Sequence, residues 1–130
     1  MNPPALVLIV EDNPRNMKLV RDLLDHAGYR TLGVSSAEEG IELARSRRPD
    51  LVLMDVQLPG MDGVEALARL RAEPDVGEMP IVALTAFAMK DDRERFLAAG
   101  FDEYIEKPLN VREFPEQVSA ILGRHHGATA

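Results

Sequence analysis

Cysteine is absent from the 130 residues. There can be no disulfide frame, no thiolate metal site and no cysteine nucleophile, so the fold rests on its hydrophobic core. Such usage suits a reducing compartment, and a cytoplasmic location is expected. Positive charge is scarce as well: 15 Lys+Arg stand against 22 Asp+Glu, a formal net charge of −7. Nucleic-acid binding relies on basic side chains neutralising phosphates, and an anionic membrane surface asks for the same, so neither is expected as a partner. No apolar run approaches the roughly 18 residues of a spanning helix. The start, Met1-Asn2-Pro3-Pro4, carries no basic charge, and the apolar run 5–10 is too short for a signal core. Also missing are a G-x-S-x-G nucleophile turn, a phosphate-binding Walker loop, a G-x-G-x-x-G turn and an H-E-x-x-H pair.

What remains is one acidic domain. Apolar residues make up 45% and charged residues 28%, ordinary for a globular chain and against disorder. At this length one domain can bury a real core. Short apolar runs at 6–10, 51–54 and 81–84 are nearly all Val, Ile, Leu, Met and Ala without alternation, as in parallel strands buried on both faces. Runs at 30–34 and 103–105 are mixed and are expected at the two edges.

Between the runs lie helical patterns. The first carries Met17, Val20, Leu24 and Ala27 after Asp12-Asn13-Pro14, and Gly28 follows it. The second carries Ala37, Ile41 and Ala44, with Ser36 and Glu39 as a capping box. The third carries Val64, Leu67, Ala68 and Arg71, and the fourth Phe96, Leu97 and Ala99 up to Gly100. The fifth carries Val111, Phe114, Val118, Ile121 and Leu122, with Asn110 as cap and Gly123 as its end. Pro115 fits poorly there, which implies a later start or a distorted first turn. Residues 124–130 read as a loose tail. Five β-α repeats imply a parallel doubly wound α/β sheet with helices on both faces.

In such a sheet, ligands bind beyond the carboxyl ends of the strands. That edge collects Glu11 and Asp12 after the first strand, Asp55 after the third, Thr85 after the fourth and Lys107 after the fifth. Taken singly, each has an ordinary explanation: Asp12 as a helix cap, Asp55 as a turn residue, Thr85 as a strand residue, Lys107 as surface charge. Together they form a costly cluster. Two carboxylates about 5 Å apart repel by about 3 kcal/mol at an effective dielectric near 20. Oxygen ligands of this kind suit Mg²⁺. Mg²⁺ with a lysine and a hydroxyl around a central carboxylate is equipment for phosphoryl transfer onto that carboxylate. The histidines have simpler explanations: His26 near a helix end, His125 and His126 in the tail without partners.

The sequence resembles the receiver domains of two-component response regulators. The likeness rests on Val10-Glu11-Asp12-Asn13, the run from Leu53 through Asp55 to Leu58-Pro59-Gly60-Met61-Asp62-Gly63, Ile81-Val82-Ala83-Leu84-Thr85-Ala86 and Tyr104-Ile105-Glu106-Lys107-Pro108. It covers residues 5–123, and Phe87-Ala88-Met89-Lys90 is similar to DivK-like single-domain regulators. The resemblance implies a CheY-like five-stranded sheet in the order 2-1-3-4-5. It implies Asp55 as phosphoacceptor and Mg²⁺ held by Glu11, Asp12, Asp55 and the Gln57 backbone carbonyl. Lys107 and Thr85 would hold the phosphoryl group, with Tyr104 turning inward as Thr85 shifts. Ala86 would leave space near the phosphoryl group, Phe87 would flank the water path, and the Lys107–Pro108 bond would be cis.

The implied partners are a histidine kinase or histidine phosphotransfer protein and a downstream protein that reads the fourth helix, fifth strand and fifth helix. No turnover enzyme is implied. Three other readings stay open. The chain could be a receiver of a hybrid histidine kinase, although the start at Met1 and the loose tail favour a whole product. It could be a phosphorylation-independent interaction module. A dehalogenase-type phosphatase is disfavoured, because Gln57 stands where a second Asp is wanted and a cap domain has no room.

Overall fold

The computed structural model describes residues 4–56, 63–74, 76, 79–85, 90–107 and 109–127. Five strands, β1 (Leu6–Val10), β2 (Arg30–Val34), β3 (Leu51–Asp55), β4 (Ile81–Thr85) and β5 (Glu103–Glu106), alternate with five helices. These are α1 (Pro14–His26), α2 (Ala37–Arg47), α3 (Gly63–Ala72), α4 (Lys90–Ala99) and α5 (Glu113–Gly127). All strand pairs are parallel, in the order β2-β1-β3-β4-β5. The mixed runs do lie at the edges, while β1, β3 and β4 are wholly buried.

Successive strand side chains point to opposite faces, and each face has its own core. Leu8, Val10, Val52, Met54, Ile81 and Ala83 pack with Ala37, Ala44, Ala66, Leu67, Leu70 and Phe96 of α2, α3 and α4. Val7, Ile9, Leu53, Val82, Leu84 and Ile105 pack with Val20, Leu24, Phe114, Val118 and Ile121 of α1 and α5. Uniformly apolar strands are therefore required, since neither face meets water.

Helix ends follow local chemistry. Asn13, not Asp12, caps α1: its Oδ1 accepts from the backbone N of Arg15 (2.9 Å) and Asn16 (3.2 Å), and Pro14 opens the helix. Ser36 Oγ accepts from Glu39 N at 3.2 Å, as its spacing implied. Gly28, just past α1, takes φ 96°. Arg48 caps α2 in the same left-handed region at φ 45°, without a glycine to mark it.

Three expectations need correction. α3 buries Gly63, Ala66, Leu67 and Leu70, whereas Val64 and Ala68 face out. Gly63 sets that rotation, because a Cβ there would sit 2.5 Å from Val56 Cα and only a glycine lets the helix start against the end of β3. On α4, Phe96 is buried but Leu97 and Ala99 are exposed. α5 starts later than Asn110 suggested and ends later than Gly123. Asn110 caps a preceding turn through Arg112 N and Glu113 N, both at 3.0 Å. Pro115 then falls in the first helical turn, where its missing N–H costs nothing. Gly123 does not adopt positive φ, so it is an interior residue and the helix continues to Gly127 through half of the segment read as a tail.

Candidate metal and phosphoryl site

Four strands deliver the expected residues to one edge. Glu11 follows β1, and its N donates to Val34 O at 3.0 Å while its Oε1 accepts from Asn13 N at 3.2 Å. Those bonds fold the carboxylate back under the start of α1, where Glu11 is 2% exposed. Asp12, released from capping by Asn13, faces solvent. Asp55 ends β3 and is 5% exposed; Thr85 ends β4 and is fully buried. Lys107 follows β5, and its N donates to Thr85 O at 2.7 Å, which ties the lysine backbone to the threonine.

The lysine joins the cluster. Its Nζ donates to Glu11 Oε2 at 2.8 Å and to Asp55 Oδ2 at 3.0 Å. Ligand oxygens of Glu11, Asp12 and Asp55 all lie within 4.8 Å of one another. Three carboxylates against one ammonium leave a formal excess of two negative charges. Among the described residues no buried side-chain N or O lacks a hydrogen-bond partner, so the strain is one of charge and not of missing bonds.

Burial pushes the Glu11 carboxyl above the usual glutamate range; the Lys107 hydrogen bond opposes this and the Asp55 charge adds to it. Burial pulls the Lys107 ammonium down, but hydrogen bonds to Glu11 and Asp55 together with their charges outweigh it and hold it above the usual lysine value.

The donor set fits a hard divalent cation. It is all oxygen and negatively charged, and exposed Asp12 gives it an open side where water or a phosphoryl oxygen can complete the shell. Tyr104 is half-buried on β5, opposite Ala83 and two residues upstream of Glu106, which pairs with Thr85. It packs against the core shared by α3 and α4. With Glu103, Ile105, Gln117, Ala120 and Ile121 it also lines a cavity of about 330 Å³ between β5 and α5. Gln57, Ala86, Phe87 and Pro108, and with them the expected carbonyl ligand and cis bond, lie outside the described residues.

Sequence reasoning found every member of this cluster, but it did not foresee that Lys107 spans two carboxylates at once. It also missed Gly63. The signal was present, since a glycine at the first position of a helix that returns onto a buried strand marks a close approach.

Among described residues no helix is long and apolar enough to cross a membrane. The family model of the response regulator receiver domain matches residues 7–119. The polar-differentiation response regulator DivK of Brucella anthropi is 46% identical over 120 residues, covering 92% of this chain and 98% of that one. DivK of Brucella melitensis is 46% identical over 117 residues, covering 90% and 95%. Among solved structures, the receiver domain of sensor histidine kinase PA1611 from Pseudomonas aeruginosa superposes with a TM-score of 0.81 at 36% identity, covering 93% and 96%. That structure has a magnesium ion coordinated in its active site cleft. The chemotaxis response regulator CheY4 of Vibrio cholerae reaches a TM-score of 0.86 at 25% identity, covering 91% and 98%. With its CheY-like fold and its match across nearly the whole sequence, this chain belongs to the response regulator receiver family of two-component systems, among the DivK-like members.

Proposed function

We propose that the chain is a phosphoacceptor switch: Asp55 takes a phosphoryl group from a phosphohistidine of a histidine kinase or histidine phosphotransfer protein. The observation that carries this reading is the buried Asp55 carboxylate, hydrogen-bonded to Lys107 and grouped with Glu11 and Asp12 at the open edge of a parallel sheet. Glu11, Asp12 and Asp55 would hold Mg²⁺, with the Gln57 carbonyl as a further ligand. Bound there, the ion would offset the charge of the incoming phosphoryl oxygens.

One Asp55 oxygen forms a bond to phosphorus as the P–N bond breaks, and the electron pair leaves with the donor imidazole. The product is an acyl phosphate on Asp55. Lys107, already within 3.0 Å of that carboxylate, neutralises part of the new charge. The Thr85 hydroxyl donates to a phosphoryl oxygen. Drawing Thr85 that way loosens the packing behind it and lets Tyr104 change position. The output is a difference in affinity for a downstream protein on the α4-β5-α5 face, since a switch acts only through differential binding. The chain turns over no substrate, and the expected setting is the cytoplasm. A second reading, a receiver belonging to a hybrid histidine kinase, is favoured by the likeness to the PA1611 domain.

Incubation with acetyl phosphate and Mg²⁺ is expected to add the mass of one phosphoryl group. The adduct should be absent with EDTA and in Asp55→Asn. No adduct in the wild type, or one that survives the substitution, overturns the assignment.

A further inference from the structure

At the opposite end of the sheet from the carboxylates, one side chain gathers three segments. Arg71, in the last turn of α3, donates from Nη1 to Met79 O at 2.5 Å, just before β4. Its Nη2 donates to Gly100 O at 3.1 Å, just past α4, and to Asp102 Oδ2 at 2.7 Å, just before β5. The same Asp102 oxygen accepts from Ile81 N at 2.8 Å, and Asp102 N donates to Ile81 O at 2.9 Å. The starts of β4 and β5 are therefore tied to each other and, through the guanidinium, to the end of α3. A planar guanidinium with several fixed donors can hold such separate acceptors together, whereas a lysine cannot reproduce the fork.

The C-terminal end of α4 is fixed at the same place. Gly100 turns the chain with φ 117°, its N donating to Leu97 O at 3.2 Å, and Phe101 N donates to Phe96 O at 3.2 Å. Phe96 and Phe101 are both 3% exposed and meet edge to face, with ring centroids 6.1 Å apart. Of the α4 side chains described, those of residues 94–99, only Phe96 is buried. Among the described side chains of this helix, the anchor on the body is therefore Phe96 in its last turn, with the Arg71 bonds just beyond it.

We propose that Arg71, with Asp102, is the pivot of α4. The pair holds the C-terminal end of the helix and the starts of β4 and β5 in place, so that displacement set off at Thr85 becomes a rotation of the N-terminal part of α4. The idea rests on the phosphoacceptor reading and adds a positioning residue to it. A rigid end lets a small shift at the far end of β4 become a change of helix direction on the face a partner would read. Without the pin, the same shift spreads along the helix and into the turn before β5.

The test is hydrogen exchange by mass spectrometry on the full chain, with and without Mg²⁺ and beryllofluoride as the phosphoryl mimic. In the wild type, backbone exchange over 90–95 is expected to change at least threefold on adding the mimic, while 97–103 changes by less than about 1.5-fold. In Arg71→Gln, exchange over 97–103 is expected to rise about tenfold without the mimic, and the mimic then alters both segments. Arg71→Lys is expected to behave like Arg71→Gln, though less severely. Ile121→Val, a mild core change in α5, serves as the stability control and should raise exchange without selecting 97–103.

A wild-type response equal at both ends, or unchanged 97–103 exchange in Arg71→Gln, overturns the pivot. Should Arg71→Gln fail to fold, Arg71→Lys decides by the same criteria. The phosphoacceptor reading is judged apart from it: if the wild type gains no phosphoryl mass from acetyl phosphate, that reading fails and the pivot fails with it. If the mass appears and the exchange pattern does not, only the pivot fails.

Discussion

Asp55→Asn is expected to make the metal-free protein more stable, although it removes a carboxylate that is salt-bridged to Lys107. The relevant oxygens lie within 4.8 Å of one another. At an effective dielectric near 20, Asp55 and Glu11 at that separation repel by about 3.5 kcal/mol. Asp12 is exposed, so screening reduces its share to about half of that. Lys107, at 3.0 Å from Asp55, gives back about 5.5 kcal/mol on the same scale. Repulsion and attraction nearly cancel, and the sign falls to desolvation. A carboxylate that is 5% exposed carries a penalty of several kcal/mol, while a neutral amide of the same shape carries less and its oxygen still accepts from Lys107. The net expectation is a gain of about 1–2 kcal/mol, or about 3–6 °C in midpoint for a chain of this size. Thermal melts at pH 7 in EDTA measure it. Adding Mg²⁺ should raise the wild type by mass action and narrow the gap, since the mutant has lost a ligand. A mutant midpoint below the wild type in EDTA would refute the charge argument.

Other outcomes follow from single contacts. Lys107 is held above its ordinary value of 10.5, so its stabilising contribution is complete below that pH and is lost as pH rises through the folded-state value. Wild-type melts should therefore fall more steeply above about pH 10.5 than those of Lys107→Gln, and parallel curves would contradict the bridge. Gly63→Ala places a Cβ 2.5 Å from Val56 Cα, so urea unfolding should show a loss of about 1–3 kcal/mol, and a neutral result would mean that α3 can shift freely.

Most of the fold was legible because the three central strands must be apolar on both faces, and this excludes alternation. The edges were legible for the opposite reason: Arg30, Thr31, Glu103 and Glu106 can face water only there. The site was legible because topology alone sends Glu11, Asp55, Thr85 and Lys107 to the same edge. What failed were matters of rotation and termination. Val64 and Ala68 look as apolar as Ala66 and Leu70, and only the close approach at Gly63 decides which pair turns inward. Gly123 looks like a stop, but a glycine ends a helix only where the chain takes positive φ, as Gly28 and Gly100 do. Arg48 takes that conformation with no local sign at all.

Aspartate serves opposite purposes at the two ends of this sheet, and the contrast argues for where function lies. At the amino ends, Asp50 accepts from Leu6 N at 2.8 Å and returns a bond from its own N to Leu6 O. Asp102 does the same with Ile81. Asp50 stands one residue before β3 and Asp102 one residue before β5, and each closes the first rung with the neighbouring strand, so its charge is directed at a backbone N–H group and, for Asp102, at Arg71 as well. At the carboxyl ends, by contrast, Glu11, Asp12 and Asp55 face one another with a single lysine between two of them. The first arrangement lowers the energy of the fold; the second raises it unless a cation and a further charged group arrive. That a sheet resolves its carboxylates at one end and leaves them in conflict at the other supports the proposal that the binding chemistry is at the second.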